Sequence, residues 1–308
     1  MAFDAYALVL AMLLLGMAFA RLRAFPANAP EVINLVVLYV CLPAAVLLYV
    51  PRLEFDLGLI GVIAMPYLLL VAVVVAVALL ARPLRLGLGE RGALLLCLGL
   101  GNTSFLGYPL TRALLGDAAL PYAVVYDQFG NGILLATFGL WVLARYGGDR
   151  PPAAGEMLRR ILAFPPLWAL VLGLTVMPVE PWHWLAGGLE RLADAMLPLV
   201  MLAIGLSIQL RMPRREIGPL AAGLVLKLAL LPLLALALSV PLGLDGVVLQ
   251  ATVLEAAMPP MITAGALAIA HGLAPRLAAA LVGYGLLLAL ATLPAWRWLV
   301  QAATAGGA

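Results

Sequence analysis

The sequence predicts an all-α polytopic membrane protein with ten transmembrane helices, and three observations support that fold class. Ten apolar stretches each approach the roughly 20 residues that a membrane span needs. Hydrophobic residues make up 65% of the chain and charged residues only 11%, whereas about a quarter of a soluble domain is charged. Most arginines fall in alternate connections between the stretches. The predicted spans are 5–20, 32–50, 57–80, 92–115, 121–144, 161–178, 188–210, 218–240, 246–271 and 277–300.

The distribution of positive charge predicts the orientation of the chain. Counted from the N-terminus, the odd-numbered connections hold four arginines and the even-numbered connections hold thirteen, while Lys227 lies inside a span. Because positively charged loops stay in the cytoplasm, we expect a multi-pass protein of the cell inner (plasma) membrane with both termini non-cytoplasmic. The Pro/Gly-rich connection 147–160 is then cytoplasmic. This topology explains the pI near 9.0, so the basic character indicates membrane lipids and no nucleic acid as a partner.

The ten spans divide into two halves of five. With an odd number of spans in each half, a second half that repeats the first must sit upside down in the membrane, as in many secondary transporters. Leu42-Pro43 in span two and Leu197-Pro198 in span seven give modest support for such a repeat. The predicted organisation is a first five-helix repeat, a cytoplasmic loop and a second, inverted five-helix repeat, at residues 1–146, 147–160 and 161–308.

Spans four and nine are interrupted at corresponding places. Span four contains GLGNTSFLGYP from Gly99 to Pro109, and span nine contains EAAMPPM from Glu255 to Met261. Such breaks survive in a membrane only where they line a cavity or face protein. Both breaks fall near the midplane at 1.5 Å per residue, where the N-termini of half-helices favour an anion. The alternative is that glycine and proline merely kink these spans for packing.

The motifs GNTSFLGYP and LEAAMPPM, together with the two Leu-Pro pairs, resemble the auxin efflux carrier family, which includes plant auxin exporters and bacterial malonate and malate permeases. The resemblance runs essentially end to end. It implies a ten-helix inverted-repeat fold with broken crossover helices four and nine, similar to bile-acid symporters and sodium/proton antiporters. It also implies elevator-type alternating access and a homodimer through scaffold helices two and seven. Helices one, two, six and seven would form the scaffold, and the other six the transport domain.

The resemblance places a carboxylate-bearing substrate near Asn102. The chain lacks the long central cytoplasmic loop of the plant exporters, and in that respect it departs from them. The residues at the two breaks that we expect to bind substrate are Gly101, Asn102, Thr103, Ser104, Pro259 and Pro260. An asparagine side chain offers both donors and an acceptor, although these polar residues could also cap the broken helix.

Four further residues are candidates for coupling transport to a proton or sodium ion: Asp127, Asn131, Lys227 and Glu255. Lys227 is the only lysine of the chain. Unlike arginine, a buried lysine can lose its proton, but it can also snorkel toward water. Its carboxylate partner could be Glu255 or Asp127. Asp127 itself falls about 9 Å from the outer boundary, where either a hydrated or a buried carboxylate is compatible with the sequence.

Charged and aromatic residues near the outer boundary have simpler interpretations. Glu190, Arg191 and Asp194 are expected to form a charge cluster at the surface. The expected aromatic anchors are Trp182, Trp184, Trp296 and Trp298.

Taken together, these features predict a secondary transporter of a small organic anion such as malonate, malate or an auxin-like acid. A sodium-coupled organic anion symporter of the bile-acid symporter type is the alternative. No enzymatic motif is present, and a channel would need a continuous polar lining. Cys41 and Cys97 both fall inside spans, and the sequence has no Cys/His cluster, so neither a metal site nor a cofactor is expected.

Overall fold

Most of the residues that the structure describes lie in helices. The structure, a computed structural model, describes residues 2–53, 58–147, 155, 159, 162, 165–207 and 216–305. Most of the predicted cytoplasmic connection 147–160 lies outside this part of the chain. The helices are α1 Ala2–Leu22, α2 Ala29–Arg52, α3 Gly58–Ala81, α4 Leu88–Gly99, α5 Tyr108–Leu115, α6 Leu120–Tyr126, α7 Leu140–Gly147, α8 Pro165–Thr175, α9 His183–Asp194, α10 Met196–Ser207, α11 Ile217–Ser239, α12 Gly246–Ala256, α13 Ile262–Ala270 and α14 Pro275–Ala305.

Four helices of the described residues are long and apolar enough to cross a membrane: α2, α3, α11 and α14. They correspond to predicted spans two, three, eight and ten. Shorter apolar helices occupy the positions of spans one, six and nine. The prediction of a helical membrane protein is confirmed, while ten spans in two inverted repeats remain a prediction.

Both predicted interruptions are present. The helix of span four ends at Gly99 and resumes with a π-helical turn over Thr103–Gly107, and the helix of span nine ends at Ala256 and resumes at Ile262. Four further π-helical turns in the described residues were not predicted, because such turns leave no clear signature in an apolar sequence. They are Val37–Cys41 within α2, Asp127–Gly132 and Leu135–Gly139 in span five, and Leu226–Leu230 within α11.

The chain divides into two compact units, and each unit takes segments from both halves of the sequence. The first unit comprises Met1–Phe55, Ser104–Val124 and Leu162–Ile208, and the second comprises Asp56–Thr103, Val125–Ile161 and Gln209–Ala308. The first unit therefore contains the four spans that the family resemblance implies for a scaffold. It also contains the segment after the break in span four, which the resemblance places in the transport domain.

In the first unit, α1 packs directly on α10. A Cβ atom at Gly16 would lie 2.5 Å from the Leu202 carbonyl oxygen, and Gly205 is equally close to the backbone of α1. Only glycine permits this backbone approach, which is typical of helix pairs in membranes.

A second contact within this unit is a charge cluster around Arg112, close to the end of α5. The Arg112 guanidinium contacts the carboxylates of Asp117 at 2.7 Å, Glu190 at 3.6 Å and Asp194, and it lies 5.2 Å from the centre of the Tyr49 ring. The expected surface cluster on α9 thus exists, but its central cation comes from α5 instead of Arg191. These contacts hold the segment after the break to the helices of the first unit.

We expect Arg112→Met to lower the free energy of unfolding by about 1–2 kcal/mol. The carboxylates are more than half exposed, so each ion pair contributes at most about 1 kcal/mol, and the contact with the aromatic ring adds about 0.5–1 kcal/mol. Thermal unfolding of the detergent-purified protein measures the effect. Arg191→Met, on exposed α9 surface, is the matched control and should change stability by less than about 0.5 kcal/mol. Equal effects of the two substitutions would contradict the assignment.

Candidate crossover site

In the second unit, the two broken segments cross and pair through their backbones. The Asn102 N–H donates to the Pro259 carbonyl at 2.8 Å, and the Met261 N–H donates to the Leu100 carbonyl at 3.0 Å. Gly101 and Pro260 lie opposite each other as an antiparallel pair between these two bonds. Proline is tolerated at this position because the opposed residues of such a pair exchange no hydrogen bonds. The breaks thereby satisfy backbone groups that hydrocarbon would leave unpaired.

Helix α14 supports this crossing. A Cβ atom at Gly285 would lie 2.6 Å from Cδ of Pro260, so glycine is needed for the proline ring to pack there. Both prolines of the predicted substrate set are buried. At the crossing, the Pro259 carbonyl accepts a hydrogen bond from Asn102, and the Pro260 ring packs against Gly285.

The side chain of Asn102 is the polar group at the crossing that most needs an explanation. Asn102 is 1% exposed, and neither Nδ2 nor Oδ1 has a hydrogen-bond partner among the described residues. An amide left in this state costs about 1–3 kcal/mol, and most buried polar groups avoid that cost. Because Oδ1 accepts no backbone N–H here, the capping role is not observed.

The side chain of Lys227, a residue of α11, also lies close to the crossing. It is 5% exposed, and a methyl group at Gly101 would lie 3.3 Å from its Nζ atom. Within the described part of the chain, Lys227 takes part in no ion pair. Neither Glu255 nor Asp127 is therefore its partner in this conformation. Gly101 therefore has the buried Lys227 cation close by and is followed in the chain by Asn102, whose amide has no partner among the described residues.

Thr103 belongs to a hydrogen-bond network with the π-helical turn of span five. Its hydroxyl donates to Asp127 Oδ1 at 2.5 Å and accepts from Asn131 Nδ2 at 2.8 Å, while Gln128 Nε2 donates to Asp127 Oδ2 at 3.0 Å. Asp127 is 1% exposed, so it is a buried carboxylate in this structure. The network fixes the start of the segment that follows Asn102.

Helix α3 holds that π-helical turn in place. The Tyr67 hydroxyl donates to the Phe129 carbonyl at 2.7 Å. A Cβ atom at Gly130 would overlap the Pro66 ring, so only glycine fits at this contact. Tyr67 and Gly130 were not identified from the sequence, because their importance depends on a contact between two different spans.

The two remaining predicted residues are Glu255 and Ser104. Glu255, at the end of α12, is fully buried. Ser104 is also buried but belongs to the first unit. Among the described residues, no group of three or more histidine, cysteine or acidic side chains could hold a metal ion.

Broken helices that pair through their backbones, with buried polar groups in an apolar helical chain, are typical of membrane transport proteins. The sequence profile of the family described as "Membrane transport protein" matches residues 1–153 and, a second time, residues 152–297. The chain belongs to this family. The resemblance to auxin efflux carriers is thereby confirmed, and the protein is a transporter and not an enzyme.

Two relatives extend over nearly the whole chain. An "Uncharacterized transporter" of Methanothermobacter thermautotrophicus is 29% identical over 292 residues, which cover 94% of this chain and 95% of the relative. A "Putative malonate transporter" of Rhizobium meliloti is 27% identical over 307 residues, which cover 94% of this chain and 93% of the relative. The matches therefore concern the full fold and not one shared segment.

We expect Thr103→Val to destabilise the protein by about 1–3 kcal/mol, because it removes a buried donor to an acidic group. Thr103→Ser keeps the hydroxyl and is the matched control, with a smaller loss from the missing methyl group. Thermal unfolding of both purified variants measures the difference. Equal unfolding temperatures for the two variants would show that the hydroxyl contributes little to the network.

Proposed function

We propose that the protein is a secondary transporter of a small organic anion and that the anion binds at the crossover through its carboxylate. In this proposal the Lys227 ammonium supplies the opposite charge and the Asn102 amide supplies a hydrogen-bond donor. The observation that carries the proposal concerns the surroundings of Gly101. Within the described part of the chain, the buried Lys227 cation there has no ion pair and the buried Asn102 amide has no hydrogen-bond partner.

The energetics favour an anionic ligand at this place. An ammonium group at membrane depth is costly to keep charged unless an anion accompanies it. A carboxylate satisfies both groups at once, because it accepts hydrogen bonds from an ammonium and from an amide, and such charge-assisted bonds are the stronger kind. Each contributes about 1.5–3 kcal/mol, which corresponds to about ten- to a hundredfold in affinity.

The substrate class we propose is a small mono- or dicarboxylate, with malonate as the first candidate. Malonate is chosen because the Rhizobium meliloti relative carries that substrate in its name. A neutral analogue of the same size, malonamide, lacks the charge that Lys227 would recognise. It should therefore compete poorly with malonate.

We also propose elevator-type alternating access in an inverted-repeat fold. The two matches of the family profile, which meet at residues 152–153, support a duplicated chain. Two compact units that each draw on both halves support the division into a scaffold and a moving domain. The non-cytoplasmic termini and a homodimer through spans two and seven belong to the same proposal.

Coupling to protons or to sodium completes the proposal. Asp127, Asn131 and Glu255 are buried in the second unit, as a coupling residue requires. Uptake into proteoliposomes that follows a pH gradient would favour protons, and uptake that requires sodium would favour the symporter of the bile-acid type.

We expect Asn102→Ala and Lys227→Met each to raise the KM for malonate about ten- to a hundredfold in proteoliposomes, while the protein remains folded. Asn34→Ala is the matched control, since the buried side-chain oxygen of Asn34 also has no partner among the residues that the structure describes, but Asn34 lies in the first unit. An unchanged KM for both site variants in well-folded protein would refute the proposed site. Equal competition by malonamide and malonate would refute the role of charge.

A further inference from the structure

The indole of Trp296 donates a hydrogen bond from Nε1 to the Leu228 carbonyl at 2.8 Å. Trp296 is therefore not simply the membrane anchor that the sequence suggested. It lies nine residues before the end of α14 and is only partly exposed. Trp298, two residues further along, is 72% exposed and fits the anchor role.

The carbonyl that Trp296 binds belongs to the π-helical turn Leu226–Leu230, and Leu228 directly follows Lys227 in that turn. A π-helical turn is rare and often occurs at functional sites. Its widened backbone disturbs the regular hydrogen-bond pattern of the helix, so a donor from another helix stabilises it. Because Lys227 belongs to this turn, the backbone conformation of the turn sets the direction in which its side chain leaves the helix.

The same arrangement occurs a second time in the second unit. The π-helical turn Asp127–Gly132 carries the network with Thr103, and its Phe129 carbonyl accepts a hydrogen bond from the Tyr67 hydroxyl. In both cases an aromatic side chain from a different helix donates to a carbonyl of the turn that carries the charged residue.

We propose that Trp296 is a positioning residue for Lys227: its N–H fixes the π-helical turn and so directs the ammonium toward Gly101. An effect of Trp296 on substrate affinity rests on the proposed function, because Trp296 can influence the substrate only if Lys227 binds its carboxylate. Without the N–H, the turn is free to relax toward regular helix, which redirects the lysine.

The test compares malonate uptake in proteoliposomes for Trp296→Phe, Lys227→Met and the double variant. Trp296→Phe should raise KM about three- to tenfold, the effect of one hydrogen bond. In the Lys227→Met background, Trp296→Phe should cause no further rise in KM, because the effects of two residues are not additive when one acts through the other. Trp298→Phe, on the same helix, should leave KM unchanged. An unchanged KM for Trp296→Phe, or additive effects in the double variant, would overturn the positioning role.

A second measurement separates this inference from the proposed function. Lys227 is the only lysine, so [¹⁵N]lysine labels a single Nζ, and its resonance should shift in Trp296→Phe but not in Trp298→Phe. If Lys227→Met leaves KM unchanged, the proposed function fails. The Nζ resonance then tests the positioning role by itself, and an unshifted resonance in Trp296→Phe would overturn that role. If Trp296→Phe does not fold, benzothienylalanine at position 296 replaces the N–H by sulfur in a ring of the same shape, and the same outcomes apply.

Discussion

The backbone pairing of the two broken segments is the constraint on which the second unit depends. Asn102 and Met261 each donate one hydrogen bond across the crossing, to Pro259 and Leu100. Without these bonds, the breaks would leave polar backbone groups in an apolar interior, where each costs several kcal/mol. The pairing also holds Gly101 beside Lys227. Because the Asn102 side chain does not cap the broken helix, its amide can bind a ligand.

The polar groups around this crossing divide into those that the protein satisfies and those that it does not. Thr103, Asn131 and Gln128 donate to one another or to Asp127 in a connected network, and such networks make a buried site rigid. The Asn102 amide and the Lys227 ammonium stand outside it. A site that is rigid on one side and unsatisfied on the other is suited to bind a ligand, because little ordering is needed when the ligand arrives.

The parts of the fold that are encoded locally could be predicted from the sequence. Length and apolar composition predict the long helices, and clusters of glycine and proline predict the breaks near Asn102 and Pro259, because these residues act on their own backbone. The family resemblance pointed to Asn102 as well. Arg112 as the partner of Asp194 and Trp296 as the donor to Leu228 could not be predicted, since the paired residues are 82 and 68 positions apart.

The proposed function requires that a carboxylate binds next to Lys227. Rotational-echo double-resonance NMR of the [¹⁵N]lysine-labelled protein in lipid, with malonate ¹³C-labelled at its carboxyl groups, measures the distance between Nζ and the nearest carboxyl carbon. We expect a distance of about 3–4 Å, the separation of a direct charge-assisted hydrogen bond. Bound malonate with no carboxyl carbon within about 6 Å, too far for any direct contact, would contradict it.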